Sequence, residues 1–111
     1  MKKQSNMVIK IGGMDIDVFF IPGDGEAFGD FTYLQSQIRV DNRLEGAALV
    51  DTLLHEVFHA IYAMGKLKNK AQSEDELEDQ EERVVSVMAT YLTQVLRDNP
   101  HLVKWINKNL L

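Results

Sequence analysis

The stretch Thr52-Leu53-Leu54-His55-Glu56-Val57-Phe58-His59-Ala60-Ile61 decides how this chain is read. It lies within a longer run, Glu45 to about Met64, in which Leu49, Leu53, Val57, Ala60, Ile61 and Met64 recur along one side. That spacing is the apolar stripe of an α-helix, and Gly65 is placed to end it. Residues four apart on a helix stand one above the other, so the imidazoles of His55 and His59 share a face and can share a metal ion. Neutral imidazole nitrogens suit zinc. Glu56 projects to the side of the pair, where it can hydrogen-bond a water at the metal and accept its proton. Two histidines and a glutamate within an apolar helix would be costly to bury unpartnered, and one zinc ion per chain supplies the partner.

Upstream of this helix the pattern is that of strands. Met7 to Ile11 and Met14 to Ile21 are β-branched and alternating, and Gly12-Gly13 between them supplies a tight turn, so the two runs predict a β-hairpin. Pro22-Gly23-Asp24-Gly25 opens a loop that runs to about Gly29. Phe31 to Leu34 and Gln37 to Val40, turning near Gln35-Ser36, predict a second pair. The expectation is a small antiparallel sheet of three to four strands. One of the latter two strands could border a cleft and pair with an extended substrate; otherwise it is an ordinary member of the sheet.

Downstream, Lys66 to Glu76 is polar and reads as a solvated connection. A second long helix is expected from about Glu76 to Asp98, its acidic first turns suiting the positive end of the helix dipole. Asn99 is a candidate N-cap and Pro100 a first-turn residue for a short last helix over 101–111. There Leu102, Val103, Trp105 and Ile106 make an amphipathic face, expected to pack on the body of the domain.

Composition narrows the function classes. A length of 111 residues fits one domain, and 45% hydrophobic and 26% charged residues are ordinary for a globular protein. The absence of cysteine excludes disulfides and cysteine-type zinc fingers. A net charge of −5 argues against nucleic-acid binding. No apolar run approaches a membrane span, and the N-terminus reads poorly as a signal peptide, so a cytoplasmic protein is expected.

A zinc site that keeps one position for water needs a third protein ligand. Without cysteine the choices are His101 or a carboxylate, and the second helix offers Glu81 and Glu82 before Val84-Val85. At this point the chain resembles the zincin metallopeptidases, and among them the gluzincins, in which a His-Glu-x-x-His helix is followed by a second helix that donates a glutamate. The resemblance spans roughly residues 45–98. It includes Thr52 three before the first histidine and apolar Ala60 and Ile61 after the second. It is closest to the small phage- and mobile-element-encoded, minigluzincin-like group. A helical wheel sets Glu81 nearer the centre of the apolar face of Val84, Val85, Met88, Leu92 and Val95. The gluzincin pattern of a small or polar residue four on and a small one seven on instead selects Glu82, through Ser86 and Ala89, and Glu82 is the favoured ligand.

The resemblance implies a zincin-like α+β fold, with the sheet packed on an active-site helix, a glutamate-bearing helix and a short terminal helix. It implies a zinc-dependent endopeptidase acting on a peptide or protein substrate, with His55, His59 and Glu82 as ligands and Glu56 as general base. The alternative is a zinc-binding regulatory or interaction module of phage origin with little peptidase activity, or a structural component whose metal serves folding. Tyr33, Tyr62, Tyr91 and His101 are candidate oxyanion donors, and none stands in a motif that assigns it that role.

Overall fold

In a computed structural model of the chain, residues 4–23, 25, 27–65 and 74–111 are described. Four strands precede three helices: β1 (Met7–Ile11), β2 (Met14–Ile21), β3 (Gly29–Thr32), β4 (Gln37–Asp41), α1 (Gly46–Met64), α2 (Glu74–Asp98) and α3 (Pro100–Leu110). The architecture is α+β, as expected. The predicted connection over 66–76 falls largely outside the described residues.

The first hairpin follows the sequence closely. Ile11 pairs with Met14, and Gly12 turns the chain at a φ of 60°, a conformation that costs glycine little. The sheet as a whole departs from the antiparallel expectation. Its strand order is β1-β2-β4-β3, and β2 pairs with β4 in parallel, Val18 beside Ile38 and Phe20 beside Val40. Polarity accounts for this order. Ile38 and Val40 are buried, which suits a strand with a neighbour on each side, whereas all four residues of Gly29-Asp30-Phe31-Thr32 are only half-buried. The chain therefore passes the position of β4, lays β3 along the outside and returns to fill the gap. The third strand also begins two residues earlier than its apolar pattern suggested. Residues 33–36 form the turn instead, with Ser36 at a φ of 49° and its N–H donating to Tyr33 O at 3.1 Å.

One face of the sheet carries Ile9, Ile11, Ile16, Val18, Ile38 and Val40 into a core shared with Leu53, Val57, Ala60 and Ile61 of α1, Val95 of α2 and Leu102 of α3. Trp105 stacks on Phe20 with ring centroids 5.7 Å apart, so α3 packs on the body as expected. At the end of β4, the Asp41 carboxylate accepts from the Arg43 backbone N–H and both Nε and Nη2 of its guanidinium. These bonds hold the Asp41 carboxyl at about 2 and fix the chain as it leaves the sheet for α1.

The two outer edges of the sheet are treated differently. Along β1, Asn99 Oδ1 accepts from Lys10 N–H at 2.8 Å and Asn99 Nδ2 donates to Lys10 O at 2.9 Å. Gln94 accepts from Gly12 N–H and donates to Lys10 O, and His101 Nε2 lies 2.7 Å from Val8 O. Asn99 does stand at the N-terminus of α3, but its side chain makes no capping bond because β1 has claimed it. Side chains thus close the β1 edge, a common protection against unwanted strand pairing. The edge of β3 has no such cover among the described residues. No helix among them is long and apolar enough to cross a membrane.

Candidate metal centre

The core side of α1, built from Val50, Leu53, Val57, Ala60 and Ile61, fixes what its other side presents. At about 100° per residue, His55 and His59 fall opposite that stripe, and both are exposed. The burial cost anticipated from the apolar flanks therefore applies to Glu56, which is 6% exposed, and not to the histidines. The two Nε2 atoms stand 3.1 Å apart, with the ring planes at 73°. Zn–N bonds of about 2.0–2.1 Å at a tetrahedral angle would set two nitrogens about 3.3 Å apart. The pair fits two ligand positions of one ion.

Glu56 lies on the β3 side of the histidines. Burial pushes its carboxyl above the usual carboxylate range, while the neighbouring His55 and His59 pull it back and Asp30 adds to the rise. Its orientation depends on close approach of β3. A Cβ on Gly29 would sit 3.0 Å from Thr52 Cγ2, 3.1 Å from Arg39 O and 3.3 Å from Glu56 Oε2. Gly29→Ala is therefore expected to cost about 1–3 kcal/mol by overpacking. Thr52→Ser, which removes the crowding methyl, should restore part of it. Denaturant unfolding of the single and double variants measures both.

Two cavities meet at the histidines. One, of about 650 Å³, is lined by Gly29, Asp30, Phe31, Glu56 and Ala63 with His55, His59 and Tyr62. The other, of about 300 Å³, lies between α1 and α2, where Phe58, Val84 and Met88 join the same three residues. β3 forms the wall of the first. Asp41 N–H donates to Phe28 O at 2.7 Å, so by the alternation of an antiparallel ladder Asp30 and Thr32 also bond toward β4. The backbone N–H and C=O of Gly29 and Phe31 then face the open edge. On the other face of β3, Asp30 pairs with Arg39.

The glutamates of α2 are less well gathered. Among the described residues no group of three His, Asp or Glu side chains is assembled as a metal-binding set. Glu82 is exposed and accepts from Ser86 Oγ at 3.5 Å, and together with Ser86 and Ala89 it forms an exposed strip of α2. Val84 and Met88 face the histidines, which leaves Glu81 about 60° around the helix from Val84 and Glu82 about 160°.

Of the four oxyanion candidates, Tyr62 alone lines these cavities. Tyr91 packs against Gly12 and the core, His101 is committed to β1, and Tyr33 stands beyond the end of β3. Gly29 carried no sequence signal of its role, because its φ is ordinary and only the crowding by α1 and the Arg39 carbonyl of β4 demands a glycine. No family model matches the chain, and neither the curated proteins nor the solved structures contain a significant match.

Proposed function

We propose that this protein is a zinc-dependent metallopeptidase of gluzincin type, binding one zinc ion through His55, His59 and Glu82. The observation that carries the reading is the convergence of two imidazole nitrogens 3.1 Å apart, a buried carboxylate beside them and an uncovered strand edge on one cavity. When bound, zinc supplies Lewis acidity to a water and to a peptide carbonyl. Glu56 accepts a proton from the attacking water and returns it to the leaving amine. The outward backbone groups of Gly29 and Phe31 offer an extended peptide the hydrogen bonds of strand addition.

The third ligand belongs to α2. The gluzincin pattern gives Glu82, and helix register, which sets Glu81 nearer the face of Val84 and Met88, makes Glu81 the alternative. Elemental analysis is expected to find about one zinc per chain. Glu82→Ala should lower zinc affinity by at least tenfold while Glu81→Ala leaves it near wild type; the reverse result moves the ligand by one residue. A metal-free preparation that melts identically to the zinc-treated protein would overturn the site itself. The alternative reading is a zinc-binding module without hydrolysis. Cleavage of a broad peptide library by the wild type, abolished by a chelator, decides between them.

A further inference from the structure

We infer that Gly29 is a positioning residue of this site, its missing side chain setting how closely the open edge of β3, and a peptide strand added to it, approaches the Glu56 carboxylate. The inference rests on the peptidase reading above. Gly29 begins β3 beside Val40 of β4, and its own N–H and C=O are turned to the open edge. On its inner side stand Thr52 and Glu56 of α1, which are four apart and so share one face of the helix. A Cβ on Gly29 would lie 3.0 Å from Thr52 Cγ2, 3.1 Å from Arg39 O and 3.3 Å from Glu56 Oε2. Glu56 is buried, and it lines the larger cavity together with Gly29. Gly29 is thus the residue at which the strand edge and the carboxylate meet.

Backbone conformation does not demand a glycine here, since the φ of Gly29 lies outside the left-handed region. Space does. A peptide hydrogen-bonded to β3 moves with that strand, whereas the group that takes the proton of the attacking water moves with α1. Hydrolysis therefore depends on the separation of the two elements, and a misplacement of about 1 Å can cost about 10²-fold in rate. A methyl group on Gly29 is accommodated by lifting β3 from α1 or by turning the Glu56 carboxylate aside, either by a few tenths of an ångström. The strand does not yield at this point alone, because Gly29 is paired with Val40 and Phe28 O accepts from Asp41 N–H. The outward N–H and C=O survive the substitution, so a peptide should still bind while its alignment with Glu56 is lost. Phe31, the other residue with an open backbone, sends its ring against the core and edge-on to Tyr33, with centroids 6.5 Å apart.

The test compares zinc-loaded wild type, Gly29→Ala, Glu56→Gln, the double variant and Asn99→Ala on a peptide that the wild type cleaves. Gly29→Ala is expected to lower kcat about tenfold, with KM and zinc content unchanged. Calorimetry gives a readout without turnover: the same peptide should bind Glu56→Gln and the double variant with equal affinity. Because the loss acts through the carboxylate, Gly29→Ala should hardly lower the residual rate of Glu56→Gln, the non-additivity of coupled residues. Asn99→Ala, which weakens the fold away from the histidines, should leave kcat unchanged at a temperature where it is folded. An unchanged kcat in Gly29→Ala, a loss that follows zinc content, or an equal loss in the Glu56→Gln background or in Asn99→Ala would overturn the role of Gly29 and leave the peptidase reading standing. If wild type cleaves no peptide of a broad library, both fall together. Should Gly29→Ala not fold, its combination with Thr52→Ser carries the same comparison, because that change removes the methyl contact and keeps the one to Glu56.

Discussion

Glu56→Gln is expected to lower peptide hydrolysis by about 10²–10⁴-fold, the usual contribution of a positioned general base, with zinc still bound. The amide keeps the size and shape of the carboxylate but has no basic oxygen for the proton of the attacking water. Stability should hold or rise slightly. Glu56 is 6% exposed and its carboxyl is pushed up by burial, so the charged form is held in the fold at a cost that a neutral amide avoids. Steady-state cleavage rates, zinc content and a melting curve on the same preparations separate these effects. A variant that folds, binds zinc and hydrolyses at the wild-type rate would remove Glu56 from the mechanism. A variant inactive because it has lost zinc would make Glu56 a determinant of the metal site instead.

The largest stability effect is expected far from the histidines. Asn99 is fully buried, and its side chain bonds both the N–H and the C=O of Lys10 and also donates to Val95 O at 2.8 Å. Asn99→Ala leaves the Lys10 N–H without a partner and removes the link between β1 and the junction of α2 with α3. An orphaned buried donor costs about 1–3 kcal/mol, and the lost bonds add to that, for a total of roughly 2–4 kcal/mol. Such a loss is a substantial share of the ~5–15 kcal/mol of a typical domain, and a melting-temperature drop on the order of 10 °C should report it. Gln94→Ala, whose bonds to Gly12 and Lys10 are more exposed, should cost about 1 kcal/mol or less. Equal losses in the two variants would contradict the clamp assigned to Asn99. Uncovering the β1 edge should also raise self-association, which light scattering at increasing concentration would detect.

What each level of structure decided follows from the range of the forces involved. The first hairpin, the helix over 46–64, the end of the second helix at Asp98 and the start of the third at Pro100 were legible because periodicity and Gly or Pro punctuation act within a few residues. The placement of His55 and His59 on one face followed from helix spacing alone, and their 3.1 Å separation is that spacing realised. Strand order was not legible, because Ile38 and Val40 compete for the interior of the sheet with residues outside their own segment. The same long-range choice made β3 an edge beside α1 and brought Gly29 against Glu56. Asn99 shows the limit of local rules most directly. Its type and position fit an N-cap, but a strand 89 residues away in sequence offered two backbone bonds in a buried place. The sequence by itself determined the helix that carries the histidines and the chemistry they suit. Tertiary packing alone decided that Glu56 is buried while the histidines are exposed, and that an open strand edge stands beside them, because burial and edge position are properties of how elements meet.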